Sequence, residues 1–244
     1  MKPIIQVQQV SQVFGARTIF KDVRFDIMQG EVFVILGGSG CGKSTLMNQM
    51  IGLLRPTSGD ITIAGYSVTR DVAKIRQQIG VMFQSGALFG SMTLQENVSL
   101  PLNVFTDLPR SACNEIARIK LGLVGLAEAA SLLPSEISGG MVKRAAIARA
   151  LALDPPIVML DEPSAGLDPI TAAGLDKLIL SLRDTLGTTC VVITHELSSI
   201  MAIADRCAML DGKAKGLIGL GTPQELKQNT SNPTIRAFFN RETL

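Results

Sequence analysis

The chain has 244 residues, of which 46% are hydrophobic, and its 23 basic and 21 acidic side chains leave a net charge of +2 at pH 7. This length suffices for one sizeable α/β domain, and the near balance of charge argues against a broad surface for nucleic acid. The longest apolar runs have the length of a strand, far below the roughly 18 residues that span a bilayer. We therefore expect a protein that does not itself cross a membrane.

The chain start and the cysteines favour a cytoplasmic location. The segment MKPIIQVQQV has no continuous apolar stretch with a small-residue cleavage site of the kind that marks a secretory leader. The four cysteines are widely scattered without a CxxC pair, and the chain has one histidine, which predicts neither a disulfide framework nor a zinc site. Reduced thiols and a cytosolic protein are the expectation.

The first part of the chain predicts an antiparallel strand followed by a phosphate-binding loop. Residues 4–14 interleave apolar and polar side chains, residues 32–36 form a short buried strand, and a helix is expected over 43–51. The intervening GGSGCGKST fits G-x-x-x-x-G-K-[ST], in which backbone N–H groups and a helix N-terminus bind phosphates. We expect Lys43 to contact the phosphates and Ser44 to bind magnesium. The predicted loop residues are Gly37, Gly38, Ser39, Gly40, Cys41, Gly42, Lys43, Ser44 and Thr45.

Cys41 lies inside this loop, next to a helix N-terminus and Lys43. Such surroundings favour the thiolate, so the sequence predicts a thiol that reacts with maleimide and is protected by bound nucleotide. The alternative is a small residue that only fills space.

The next stretch predicts a second antiparallel strand over 61–65 and a buried strand over 79–83, with Gln84 directly after it. Residues 84–97 are unusually apolar for a loop, which indicates either a groove for a partner or burial in a helical lobe. Their large apolar side chains are Leu88, Phe89, Met92 and Leu94. A helix is expected over 111–124.

Two adjacent carboxylates follow the next predicted strand. ISGGM begins a helix over 139–153, and the buried strand at 157–160 leads directly into Asp161 and Glu162. Because strand ends meet the phosphates in such folds, we assign Asp161 to magnesium through water and Glu162 to the general base that polarises the attacking water. A solvated loop pair is the alternative.

The single histidine follows another buried strand. Asp168 and Pro169 predict the start of a helix over 170–186, which Gly187 ends, and the strand at 191–194 leads into His195. His195 should therefore lie at the same edge of the sheet as the carboxylates, where it would sense a γ-phosphate. A structural histidine is the alternative.

The carboxyl-terminal part predicts two short helices. Thr222 and Glu225 form a capping box, and Asn232-Pro233 begins a second helix with one apolar face. That face consists of Ile235, Phe238 and Phe239. We predict that Phe238 and Phe239 pack against a second subunit, with packing on the chain's own core as the alternative. No linker or repeat divides the rest, so we predict one catalytic domain over 1–228, with helical subdomain about 88–154, and an amphipathic tail over 229–244.

These motifs, taken in order, resemble the ABC ATPase family over essentially the whole chain. The resemblance rests on the P-loop, Gln84 after VMF, ISGGM, LDE, SAGLD with Asp168, and His195. It implies a P-loop NTPase fold with a RecA-like parallel-sheet core, an antiparallel β flap and an inserted helical subdomain. It also implies ATP hydrolysis with Mg²⁺, with Gln84 as a further metal ligand, Phe14 stacking on adenine and Asp168 near the nucleotide.

The resemblance further implies a homodimer in which two subunits enclose ATP head to tail. In the family, LSGGQ binds the γ-phosphate of ATP held by the opposite subunit. Here Ile137 replaces the usual leucine and Met141 the usual glutamine, while the serine and glycines are kept. The residues that would bind across the dimer are Ser138, Gly139, Gly140 and Met141.

Three stretches are similar to a narrower subgroup of lipid-transport ATPases that includes MlaF. They are QSGALF, PSEISGGMVKRAAIARALALDP and DEPSAGLDPIT. This similarity implies phospholipid transport between bacterial inner and outer membranes, with the ATPase on the cytoplasmic face of the inner membrane. The implied partners are an MlaE-like permease, an MCE-domain protein and, as an optional member, a STAS-domain regulator. The alternative is the ATPase of an ABC importer for a small polar solute.

Overall fold

A computed structural model describes residues 2–228 and 231–242 of the chain. Part of the predicted tail, residues 229, 230, 243 and 244, lies outside the described residues. The strands are β1 (Pro3–Phe14), β2 (Arg17–Met28), β3 (Val32–Gly37), β4 (Ser58–Ile63), β5 (Tyr66–Ser67), β6 (Ile79–Met82), β7 (Ile157–Asp161), β8 (Thr189–Ile193), β9 (Arg206–Asp211) and β10 (Gly216–Gly221). The α-helices are α1 (Lys43–Met50), α2 (Val72–Arg76), α3 (Leu94–Phe105), α4 (Arg110–Leu123), α5 (Gly139–Ala150), α6 (Pro169–Leu186), α7 (Leu197–Ile203), α8 (Pro223–Gln228) and α9 (Pro233–Asn240).

The larger sheet has the strand order β10-β9-β3-β8-β7-β6 within the described residues. The pairs joining β9, β3, β8, β7 and β6 are parallel, and β10 is antiparallel to β9. Every residue of β3 and β8 is buried, as expected for parallel strands covered on both faces. This confirms the four predicted buried strands and the parallel-sheet core.

The smaller sheet is antiparallel, with the order β2-β1-β4-β5. Burial alternates along much of β1 and β2, so one face packs on the core and the other is more exposed. The predicted antiparallel flap is confirmed. The strand predicted over 61–65 lies a few residues earlier in the structure, at Ser58–Ile63. The strand β4 ends at Ile63, because Ala64 and Gly65 have positive φ angles of 49° and 86° and turn the chain.

Three helices, α3, α4 and α5, lie between β6 and β7 in the chain. The helix α3 was not predicted from the sequence, because its interior contains Pro101. Its start is nevertheless encoded by a capping box: the Thr93 N–H donates to Glu96 Oε2 at 2.7 Å, and the Glu96 N–H donates to Thr93 Oγ1 at 3.2 Å.

The apolar segment 84–97 divides between core and surface. Leu94 is fully buried and Leu88 packs against the same core cluster, whereas the Phe89 side chain is exposed. Burial in the helical lobe therefore explains Leu88 and Leu94, whereas the exposed Phe89 fits the alternative of a partner surface and Met92 is half-buried.

The tail helix α9 packs on the chain's own core. Asn232 caps it by accepting hydrogen bonds from the N–H groups of Thr234 and Ile235, at 3.0 and 3.2 Å. Ile235 and Phe239 are buried in the cluster formed around the larger sheet. Packing in cis, the alternative, is thus what the structure shows for Phe239, and the prediction that it packs against a second subunit is wrong.

Within residues 2–228 and 231–242, the structure contains no helix that is both long and apolar enough to span a bilayer.

The helix α5 approaches β6 so closely that only glycine fits at position 80. A Cβ atom there would lie 2.0 Å from the carbonyl oxygen of Ala150 at the end of α5. The helix that begins in the ISGGM motif is therefore held against the sheet by backbone contact, which fixes its position relative to the strand ends. It ends at Ala150, three residues earlier than predicted.

We expect Gly80→Ala to lower the free energy of unfolding by about 1–3 kcal/mol, because the backbone must shift to accept the methyl group. Gly122→Ala in α4 is the matched control, since its Cβ would meet nothing within 4 Å and it should stabilise by about 0.5 kcal/mol. Urea unfolding followed by circular dichroism measures both. Equal stability of Gly80→Ala and the unmutated protein would contradict the close approach of α5 and β6.

Candidate active site

The register of the parallel strands brings three functional segments to one edge of the larger sheet. Ile193 in β8 pairs with Ile35 in β3 on one side and with Asp161 in β7 on the other. The glycine-rich loop follows β3, Glu162 follows β7 and His195 follows β8. Because parallel strands end at the same edge, all three segments meet there, as the sequence predicted.

A cavity of about 570 Å³ lies at this edge. It gathers residues that are separated by up to 201 positions in the chain, from Gly37 to Phe238. The predicted site residues that line it are Gly37, Gly38, Ser39, Gly40, Lys43, Ser44, Gln84, Asp161, Glu162 and His195.

The loop after β3 has a backbone that side chains would disturb. Gly37 has a φ of 145°, and a Cβ atom there would lie 2.2 Å from the carbonyl oxygen of Leu210. The Lys43 ammonium donates to the carbonyl oxygens of Gly37 and Gly38 at 2.8 and 3.1 Å. A cation thus stands at the loop mouth, where the N-terminus of α1 also favours an anion.

Glu162 is a buried acid held in an unusual conformation. Its side chain and backbone together are 8% exposed, and its φ is 46°, which residues other than glycine rarely adopt. Its N–H donates to Ile193 O at 2.8 Å, and its Oε1 lies 2.7 Å from His195 Nδ1. Its other carboxyl oxygen, Oε2, is buried and has no hydrogen-bond partner among the described residues.

An unpartnered buried carboxylate oxygen is costly unless a further group occupies the site, such as a substrate or a water molecule. Because His195 contacts Oε1, Oε2 is the oxygen of the Glu162 carboxylate that is free to accept a hydrogen bond. The arrangement therefore suits abstraction of a proton from a bound water.

Burial raises the pKa of Asp161, and the neighbouring Glu162 charge raises it further, while Lys43 and Lys143 act in the opposite direction. The charged form of a carboxyl group whose pKa is raised in this way is stabilised by a nearby cation. Ser44, Gln84 and Asp161 line the same cavity and offer the oxygen ligands that Mg²⁺ prefers, so this donor set fits the predicted metal.

Several predicted site residues do not line the cavity in the described chain. Phe14 lies at the end of β1 with 48% of its surface exposed. Ser138 caps α5 by accepting from the Met141 N–H at 3.3 Å, and Gly139, Gly140 and Met141 form the first turn. Asp168 caps α6, and hydrogen bonds from Thr171 lower its pKa. The loop residues away from the cavity are Cys41, Gly42 and Thr45.

The expectation of a reactive Cys41 thiolate is wrong. The residue is 1% exposed and packs in the core cluster beneath the loop, and burial raises the pKa of its thiol despite the opposing charge of Lys43. The helix N-terminus and the lysine are close in sequence, but the side chain points away from the solvent that a thiolate needs. Its role is the alternative, a small residue that fills space.

Two residues of the site were not found from the sequence. Phe238 of α9 forms part of the cavity wall, and no local pattern indicates which wall a tail phenylalanine reaches. Lys143 donates from α5 to the carbonyl oxygens of Gln84 and Glu162. A signal for Lys143 exists: it shares one helix face with Ala146, Ile147 and Ala150, and a lysine on an apolar face requires buried partners.

Comparison with known proteins identifies the family. A family model described as ABC transporter matches residues 20–165. The chain belongs to the ABC transporter family. Among solved structures, this ABC transporter ATPase is similar to a dimeric post-hydrolysis state of the cassette MJ0796 bound to ADP and Pi, with a TM-score of 0.80, 30% identity and coverage of 90% of this chain and 98% of that one.

Two curated relatives match this ABC transporter ATPase over nearly its whole length. It is 41% identical to the probable ribonucleotide transport ATP-binding protein mkl of Mycobacterium leprae, over 97% of this chain and 68% of that protein. It is 39% identical to the intermembrane phospholipid transport system ATP-binding protein MlaF of Escherichia coli strain K12, over 97% of this chain and 88% of that protein. The chain spans 66% of the mkl proteins of Mycobacterium tuberculosis.

We expect the four thiols to be inert in the folded protein, because all four cysteines are buried. Burial raises the pKa of the Cys190 and Cys207 thiols to about 12. Titration with a chromogenic disulfide at pH 8 should detect almost no thiol without denaturant and four thiols in guanidinium. Rapid labelling of Cys41 in the folded protein would contradict its burial.

Proposed function

We propose that this chain is the ATP-binding and ATP-hydrolysing subunit of a membrane ABC transporter. The observation that carries the proposal is the shared cavity, in which Lys43 and Ser44 of the glycine-rich loop face the buried Glu162 and its unpaired Oε2. The likeness to a cassette bound to ADP and Pi supports the same nucleotide chemistry.

In the proposed mechanism, the backbone of the loop 37–45 holds the β- and γ-phosphates, and Lys43 neutralises part of their charge. Ser44, Gln84 and Asp161 would hold Mg²⁺, the last through water, and the ion would withdraw charge from the phosphates. Glu162 accepts the proton of the attacking water at Oε2, while His195 orients the carboxylate through Oε1 and contacts the transferring phosphoryl group.

We propose that two copies close head to tail around two ATP molecules. Ser138 and Gly139 are exposed at the N-terminus of α5, where free N–H groups suit a phosphate of the opposite subunit. Gly140 and Met141 complete this turn. Phe14, half exposed at the end of β1, would stack on adenine, and Asp168 would lie near the nucleotide at the interface.

We assign residues 1–228 to the ATPase domain, with a helical subdomain over about 88–154, and 229–244 to the tail. The α9 contacts with the core support a tail that serves the ATPase in cis. The ATPase would work at the cytoplasmic face of the inner membrane, where energising a transporter requires a permease.

The cargo we favour is phospholipid, moved between bacterial inner and outer membranes. The support is 39% identity to MlaF over 97% of the chain. The proposed partners are a second copy of this chain, an MlaE-like permease, an MCE-domain protein and, as an optional member, a STAS-domain regulator. The second candidate is an importer ATPase for a small polar solute, which the name of the 41% identical mkl protein favours.

We expect Glu162→Gln to lower kcat for ATP hydrolysis by at least about 100-fold, because the amide cannot accept the proton from water. Binding of ATP should persist, since the phosphate-binding loop is unchanged. Phosphate release and equilibrium binding of a fluorescent ATP analogue measure the two effects. Unchanged turnover in the variant would remove Glu162 as the general base.

We expect the complex isolated from detergent-solubilised membranes to contain a co-purified membrane protein and phospholipid. Mass spectrometry of extracted lipid identifies the cargo, with the same preparation from cells lacking the chain as control. Phospholipid vesicles should stimulate its ATPase, whereas ribonucleoside monophosphates added to the ATP assay should not. Stimulation by these monophosphates without bound lipid would favour the solute importer.

A further inference from the structure

The helix α5 supplies two cations that hold the loop after β6. Arg149 donates from Nη1 to the carbonyl oxygen of Ala87 at 2.7 Å and from Nη2 to that of Gly86 at 3.0 Å. Six residues earlier on the same helix, Lys143 Nζ donates to the carbonyl oxygen of Gln84. The loop that carries Gln84 is thus attached to α5 along its length.

Lys143 also reaches the acid of the cavity. Its ammonium donates to the carbonyl oxygen of Glu162 at 3.3 Å. The residue is 7% exposed, and an ammonium is buried to this degree only when fixed acceptors and nearby negative charge offset its lost hydration. The charged groups that face it are Asp161 and Glu162.

The contact at Glu162 matters because that residue is held in the left-handed region of φ. Its N–H is fixed by Ile193 and its Oε1 by His195, and its carbonyl oxygen accepts from Lys143 at 3.3 Å and from the Ala165 N–H at 3.2 Å. A strained conformation persists only where surrounding contacts over-determine it. Among these contacts, the one from Lys143 is made by a helix outside the sheet edge, and its loss leaves the carbonyl oxygen with the Ala165 N–H of the following turn.

We propose that Lys143 is a positioning residue that aims the Glu162 carboxylate by holding the main-chain oxygens of Gln84 and Glu162 to α5. Its side chain does not line the cavity. Its effect on turnover rests on the proposed ATPase function, whereas its effect on the backbone at 161–166 does not. Ser138, five residues earlier, caps the same helix, so fewer than two turns of helix join the ISGGM motif to the backbone of the catalytic acid.

The test compares Lys143→Met with Lys120→Met. Lys120 is the matched control because it is equally buried, at 7% exposure, and its ammonium pairs with Asp154, away from the cavity. We expect Lys143→Met to lower kcat about 10-fold, with the dissociation constant of ATP changed less than about two-fold, because the acid is misaimed while the phosphate loop is intact. Lys120→Met should keep both values, and folded Lys143→Arg should restore most of kcat.

Hydrogen exchange provides a readout that needs no turnover. Peptides covering 161–166 and 84–87 should exchange faster in nucleotide-free Lys143→Met than in the unmutated protein, and should stay unchanged in Lys120→Met. Unchanged exchange, unchanged kcat, a matching loss of ATP affinity, or a folded Lys143→Arg without recovery would each overturn the proposal. If the unmutated protein releases no phosphate, the proposed ATPase function fails, and the exchange comparison still decides the role of Lys143.

Discussion

The parallel pairing of β8 with both β3 and β7 is the constraint on which the site depends. Ile193 sits between Ile35 and Asp161, so a shift of one residue in either pair would displace the phosphate loop or the acid relative to His195. Burial on both faces fixes this register, since every residue of β3 and β8 lies in the core. Three short segments far apart in the chain thereby reach one cavity without any long-range motif that specifies the contact.

The register brings Glu162 to the edge of the cavity but does not by itself set the orientation of its carboxylate. Glu162 turns out of β7 with a positive φ, and its carboxylate is divided into one oxygen paired with His195 and one buried oxygen without a partner. This division gives the residue a free acceptor directed into the cavity. The cost of the left-handed backbone and of the buried charge is offset by contacts from β8 and α5, which is typical of strain at functional sites.

The helix α5 connects the edge of the larger sheet to the loop that carries Gln84. At Gly80 it touches β6 backbone to backbone, and along its length Lys143 and Arg149 hold the loop that carries Gln84. At its N-terminus, Ser138 and Gly139 remain exposed. The helix thus links an exposed N-terminus to the loop that carries Gln84.

The sequence by itself determined which functional segments follow which strands. The glycine-rich loop, the adjacent carboxylates and His195 each follow a short apolar run, and apolar runs of that length with polar ends specify parallel strands whose ends meet. The caps at Asp168 and Asn232 likewise fixed helix starts locally, because their side chains bond to N–H groups two and three residues away.

Only the tertiary structure decided which side chains face the cavity and which face the core. Cys41 belongs to the phosphate loop in sequence but turns into the core, while Phe238 lies near the chain end and lines the cavity. Lys143 meets Gln84 and Glu162 across 59 and 19 positions. The physical reason is that burial and ammonium–carbonyl contacts arise from packing between elements, whereas strands, caps and the phosphate loop arise from interactions within a few residues.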